Sequence, residues 1–300
     1  MKLLRRSTIA VAGILGTLLL GAAPALAIVG GQEATRSYPG MTAVAVDYPG
    51  LGILKCGGSL ITPRYLLTAA HCVSDFTVEP TVVPVAPERI TVRINSRNRL
   101  SGGQEAVGAT VLIHPDWAWL QPTGQPIADI ALVKLDRAVA GPLMPLSWAR
   151  SARSGPSRLI GWGLPEFPVP AGTELPEMLR QRDVTVLPDE DCAGGLISAG
   201  EICTSPGACF GDSGGPALQW LSLTDRRTKQ FKSVGVASRE TSGTNPCGSP
   251  IIYTVPAFYM RWIVTTIVSG TVAPSRHVRT FSAQATTPAD EFTFLMKPTP

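Results

Sequence analysis

Between residues 41 and 135 the chain breaks into short apolar or alternating runs, 41–46, 59–62, 90–95, 107–114 and 130–135, separated by clusters of Gly, Pro and Asn. Short runs bounded by such turn formers read as antiparallel strands. Residues 64–70 add a further strand-like stretch. A proline-bearing connection follows over 139–156, and the pattern resumes at 157–161, 180–187, 201–204, 216–220, 231–238 and 251–254. Pro256 then opens a helix, with Tyr259, Ile263 and Ile267 at helical spacing and Trp262 alongside. Periodicity by itself predicts an all-β sandwich or barrels with a terminal helix.

Residues 1–27 depart from this pattern. Lys2, Arg5 and Arg6 precede an apolar stretch that runs to about Leu20, and Ala25-Leu26-Ala27 offers small residues at the spacing signal peptidase cuts. The stretch is marginal for a membrane span of about 20 residues, and Pro24 follows it, so a cleaved secretory signal is expected rather than an anchor. Arg5-Arg6 faintly fits a twin-arginine signal, but the surroundings suit the general secretory route better. Cleavage after Ala27 exposes Ile28-Val29-Gly30-Gly31. At the other end, residues 270–300 are rich in Ser, Thr, Pro and Ala with scattered Phe281, Phe292 and Phe294. That composition reads as a flexible tail, with a packed extension or a processed piece as alternatives.

Removing 27 of the 300 residues leaves 273, enough for two modest β domains. The formal charge of +4, less the three cations of the leader, becomes +1. That balance gives no support to a nucleic-acid or anionic-membrane partner. Six cysteines in an exported chain suggest three disulfides. There is no Cys-x-x-Cys pair and no paired histidine, so no metal site is expected, and no cofactor.

Three separated segments carry candidate chemistry. Cys209-Phe210-Gly211-Asp212-Ser213-Gly214-Gly215-Pro216 sets a serine on a tight turn whose N–H groups can converge beside its hydroxyl. Such a turn serves attack on a carbonyl and stabilisation of the oxyanion that forms; an ordinary glycine-rich turn is the competing reading. Thr68-Ala69-Ala70-His71-Cys72 puts a histidine at the end of a strand-like run, and Asp129-Ile130-Ala131-Leu132 puts an aspartate before another. These are the base and the orienting acid that a serine nucleophile needs.

In the order His71, Asp129, Ser213, with these flanks, the chain closely resembles the chymotrypsin/trypsin-like secreted serine proteases, and it is expected in their bacterial-type branch. The resemblance covers roughly residues 28–268. It implies two six-stranded antiparallel β-barrels packed face to face, with a C-terminal α-helix and the active site in the cleft. The implied organisation is a signal peptide at 1–27, a first barrel at 28–138 carrying His71 and Asp129, and a connection at 139–156. A second barrel and helix at 157–269 carry Ser213, and 270–300 form an extension. His71 is then general base and later general acid, Asp129 orients it, and the N–H groups of Gly211 and Ser213 form the oxyanion hole. The amine freed at Ile28 is implied to fold inward onto Asp212, where an unpaired ammonium would be costly. Ser238 matches a serine that hydrogen-bonds the catalytic aspartate. The implied disulfides are Cys56–Cys72, Cys192–Cys203 and Cys209–Cys247. His114, in Ile113-His114-Pro115-Asp116, takes a structural place, and His277 falls in the tail. Family members usually carry a pro-segment before the isoleucine. None stands between Ala27 and Ile28, so signal cleavage itself is expected to activate the enzyme.

Specificity departs from the family pattern. Gly207, six residues before Ser213, stands where cleavage after Lys or Arg calls for an aspartate. The family's Ser-Trp-Gly wall reads Ser238-Arg239-Glu240, and Glu240 and Ile251 replace glycines that leave the primary pocket open. A small apolar residue before the scissile bond is expected, with attraction of Lys or Arg by Glu240 as the rival. The chain thus reads as a secreted, extracellular, monomeric serine endopeptidase acting on protein or peptide substrates. No nucleic-acid partner and no membrane span after signal cleavage are expected. A catalytically inactive protease-like binding protein is the alternative. An esterase is a further rival, though those more often use Gly-x-Ser-x-Gly and the chain order Ser, Asp, His.

Overall fold

A computed structural model describes residues 28–77, 83–118, 127–149, 155–169, 173–220, 222–228 and 230–272. The expected signal peptide, most of the extension and His277 lie outside them. After a two-residue strand β1 (Gln32–Glu33), the first barrel is built from β2 (Met41–Tyr48), β3 (Gly52–Thr62), β4 (Tyr65–Thr68), β5 (Ile90–Ile94), β6 (Gln104–Ile113) and β7 (Ala131–Leu135). These close in the order β2-β3-β4-β7-β6-β5. Alternation drives closure: along β2, Val44, Val46 and Tyr48 are buried while Asp47 is exposed. Their inward faces meet Leu60, Leu66, Val92 and Leu132 in one apolar cluster.

The second barrel uses β8 (Gly155–Gly161), β9 (Arg180–Leu187), β10 (Glu201–Thr204), β11 (Pro216–Gln219), β12 (Lys232–Glu240) and β13 (Ile251–Thr254). They run β9-β10-β13-β12-β11-β8, and β8 pairs back onto β9 to complete the ring, with β1 added alongside β9. Leu159, Val184, Ile202, Ala217, Val234 and Tyr253 fill it. Two closed six-stranded antiparallel barrels are therefore what forms. The three expected disulfides also form, with Cα separations of 6.4 Å for Cys56–Cys72, 6.0 Å for Cys192–Cys203 and 4.7 Å for Cys209–Cys247.

Local boundaries differ for identifiable reasons. β3 spans 11 residues rather than four, because Lys55, Gly57 and Gly58 interrupt the apolar signal without interrupting the ladder with β2. Gly57 is there for clearance: a Cβ on it would lie 2.8 Å from the Cα of Gly215, and its N–H donates to the Ser213 carbonyl at 2.7 Å. The nucleophile loop thus rests directly on β3. A short helix, α1 (Leu223–Thr228), was not signalled by periodicity; the Ser222 hydroxyl accepts from the Asp225 N–H at 3.0 Å and caps it. The terminal helix α2 covers Met260–Ser269. Pro256 begins a tighter turn before it, with Phe258 N–H bonded to Val255 O and Tyr259 N–H to Pro256 O. Tyr259 and Ile263 then enter the core of the first barrel, so the segment leaving the second barrel returns to seal the first. His114 packs there, 5.0 Å from Tyr259 and 4.9 Å from Trp262 between ring centres.

Candidate active site

β4 and β7 are antiparallel neighbours with Thr68 opposite Ala131. The end of β4 and the start of β7 therefore meet at one rim of the first barrel. His71 lies three residues beyond Thr68 and Asp129 two before Ala131, so both project from that rim. His71 begins a 3-10 turn, His71–Val73, pinned to β3 by the Cys56–Cys72 disulfide. Ala128 is held at φ +53° and the Ile130 N–H reaches back to its carbonyl at 2.7 Å, a tight turn around Asp129.

The resulting contacts are short and shielded. The Asp129 carboxylate is fully buried, and its Oδ2 lies 2.7 Å from His71 Nδ1 while Oδ1 accepts the His71 backbone N–H at 3.0 Å. The Ser238 hydroxyl also donates to Oδ2, at 2.7 Å. Burial by itself pushes the Asp129 carboxyl up. The adjacent imidazole and the hydrogen bonds from His71 and Ser238 more than reverse this, leaving it below its ordinary value. An ionised, acceptor-only Asp129 fixes the proton on Nδ1 and leaves Nε2 as the basic nitrogen. Cys56, His71 and Cys72 place potential metal-ligand atoms within 4.8 Å of one another, but both sulfurs are consumed by the disulfide and no thiolate is available to bind an ion.

Ser213 comes from the second barrel, on the loop between the Cys209–Cys247 disulfide and β11. Its carbonyl accepts the Gly57 N–H, and the next N–H, that of Gly214, goes to Ala237 O at 2.8 Å. Along this loop Asp212 N–H binds Cys209 O and Gly215 N–H binds Asp212 O. No acceptor among the described residues takes the N–H of Gly211 or Ser213. Gly211 is at φ +95°, the left-handed region that suits glycine.

Asp212 directly precedes Ser213 on this loop. It is buried, accepting the Gly163 N–H at 2.7 Å and the Cys209 N–H at 3.0 Å. Burial pushes its carboxyl up to about 7 against the pull of those donors, and no cation among the described residues offsets it. Ile28 is fully buried nearby: a Cβ on Gly161 would overlap the Asp212 carboxylate and approach Ile28 Cδ1 to 3.5 Å. The Val29 N–H is held by the Gly207 carbonyl at 2.8 Å.

A pocket with a cavity volume of about 30 Å³ opens beside Ser213. Ser238, Glu240 and Ile251 line it, together with Ala208, Phe210 and Arg239. Glu240 and Ile251 are direct cross-strand partners between β12 and β13, so both narrow the same wall. Gly207 stands outside the lining, against Leu159 and Val184. Sequence reasoning missed the partner of Arg239. It is Glu201, buried in β10, whose carboxylate meets the guanidinium at 2.6 and 2.9 Å. The available signal was one acidic residue in the otherwise uncharged run 201–204 and one basic residue late in β12.

Comparisons with known proteins agree with this geometry. The trypsin family model matches residues 28–263. Serine protease SP24D of Anopheles gambiae is 33% identical over 252 residues, covering 80% of this chain and 81% of that protein. Brachyurin of Leptuca pugilator is 28% identical, covering 79% and 97%, and chymotrypsin-like elastase family member 1 of Canis lupus familiaris is 27% identical, covering 81% and 93%. These relatives are animal proteins, so the expected bacterial-type branch is not supported. With the family match spanning both barrels, this chain belongs to the trypsin family and is a serine endopeptidase.

Proposed function

We propose that the chain is a secreted, monomeric endopeptidase in which His71, Asp129 and Ser213 form the catalytic triad. The observation that carries this reading is the buried His71–Asp129 hydrogen bond of 2.7 Å at the rim where the Ser213 loop rests on β3. Ser213 Oγ attacks the scissile carbonyl carbon as His71 Nε2 takes its proton. The tetrahedral oxyanion is held by the N–H groups of Gly211 and Ser213. His71 then protonates the departing amine as the C–N bond breaks, leaving an acyl-enzyme. Water deprotonated by the same imidazole releases the acid and restores Ser213. Asp129 keeps the imidazole in the productive tautomer and stabilises the imidazolium. Labelling with a fluorophosphonate tests the assignment: covalent mass on the peptide containing Ser213 is expected, abolished in His71→Ala. A correctly processed protein that resists labelling would leave only the inactive-relative reading.

The same proposal includes a small apolar residue before the scissile bond. Ile251 and Glu240 facing each other across β12 and β13, and a pocket of only about 30 Å³, support it. In a chromogenic peptide panel varied at that residue alone, Ala and Val should exceed Arg and Phe in kcat/KM by about tenfold or more. Ile251→Gly should raise activity toward the larger apolar residues. Preferred cleavage after Arg in the unmodified enzyme overturns this choice and favours attraction by Glu240.

A further inference from the structure

We propose that Arg239, clamped by Glu201, is a positioning residue for the triad, acting through Ser238 on Asp129. This rests on the triad assignment above. Arg239 stands where the family pattern has a wall tryptophan, yet its side chain is turned inward, only 4% exposed, against a Glu201 side chain with no exposure.

Every N–H of the guanidinium is used. Nε donates to Gly195 O at 2.7 Å, and Nη2 donates to Glu201 Oε2 at 2.9 Å and Leu196 O at 3.1 Å. Nη1 donates to Glu201 Oε1 at 2.6 Å and to the Ser238 hydroxyl oxygen at 3.3 Å. Glu201 is itself held, accepting the Ser198 N–H at 2.8 Å and the Ser198 hydroxyl at 2.9 Å through Oε2. The Cys192–Cys203 disulfide closes the loop that supplies Gly195, Leu196, Ser198 and Glu201.

The chemical consequence lies at Ser238. A hydroxyl has one proton and two lone pairs. With a charged donor on one lone pair, its proton is directed to Asp129 Oδ2, 2.7 Å away. Donation from Arg239 also polarises the O–H and strengthens that bond, as in any hydrogen-bonded chain at low dielectric. Oδ2 is the same oxygen that receives His71 Nδ1. The relay therefore runs from Glu201 through Arg239, Ser238 and Asp129 to the imidazole, and Glu201 neutralises the guanidinium so that the relay adds no net charge to the buried site. A buried ion pair of this kind is weak evidence for stability. Its direct bond to Ser238 points to orientation of the catalytic carboxylate.

The test separates orientation from folding. Arg239→Met alone strands a buried carboxylate, so the variant used is Glu201→Gln with Arg239→Met, combined or not with Ser238→Ala. Steady-state kinetics on the best panel substrate, fluorophosphonate labelling rates and thermal unfolding are measured for each. In the Ser238 enzyme the paired substitution should lower kcat and the labelling rate about tenfold, with KM within about twofold, on the scale that small misplacement of catalytic groups costs. In the Ser238→Ala background the same substitutions should change kcat less than about twofold, because the relay is already cut. Equal losses in both backgrounds, or a lowered melting temperature with unchanged kcat, overturn the assignment of Arg239. An unmodified enzyme that is neither labelled nor active overturns the triad reading itself, and this inference with it.

Discussion

His71→Ala or Ser213→Ala should lower kcat by about 10⁴ to 10⁶-fold while leaving KM within a few-fold, and the double substitution should lower it no further. The reason is that in the proposed triad the two side chains perform one event. Without the imidazole, Ser213 is a neutral alcohol with no base to receive its proton; without the hydroxyl, the imidazole has no nucleophile to activate. Asp129→Asn should cost about 10⁴-fold with the fold intact, since an amide presents the wrong partner to Nδ1. Near-ultraviolet circular dichroism should match the unmodified enzyme for Ser213→Ala, because the loop is held by main-chain bonds of Gly57, Gly214 and Gly215 rather than by the hydroxyl. Residual activity within about a hundredfold of normal in both single variants, or additive losses in the double, contradicts the proposed triad.

Legibility in the sequence followed the range of the interaction. His71 and Asp129 could be located because each sits at the end of an apolar run, and strand ends are visible from local pattern. That β4 and β7 are neighbours, which places both at one rim, is a property of barrel closure and was available only through family resemblance. The extent of β3 was hidden because Gly57 and Gly58 carry no apolar signal; they answer to the approach of Gly215 and the packing of Leu66. Arg239 and Glu201 are 38 residues apart and come together because β13 pairs with both β10 and β12. No local periodicity encodes that register. Ser238 could be named as a partner of Asp129, but the cation behind it could not.

Asp212→Asn should have opposite effects before and after cleavage at Ile28, and this contrast is the second large effect. In the unprocessed chain burial pushes the Asp212 carboxyl up to about 7 against the pull of two N–H donors, and no cation among the described residues offsets it. The ordinary carboxyl value is about 4. Between those values the folded chain holds a proton that the unfolded chain has released, so stability falls as pH rises from about 4 to about 7. Asparagine carries no such charge, and the variant precursor should melt higher than the unmodified one at neutral pH. After cleavage the relation reverses. The ammonium freed at Ile28, which the family resemblance implies folds onto Asp212, is expected to pair with an ionised carboxylate there, and breaking a buried pair costs roughly 3–5 kcal/mol, about a 10² to 10⁴-fold loss of the assembled oxyanion hole. Mature Asp212→Asn should lose kcat/KM by that order. The measurements are the N-terminal sequence of the secreted protein, expected to begin at Ile28, and melting temperatures and pH–rate profiles of both forms. A secreted, active enzyme beginning elsewhere, or a mature Asp212→Asn variant of full activity, means that the Ile28 amine is not the switch.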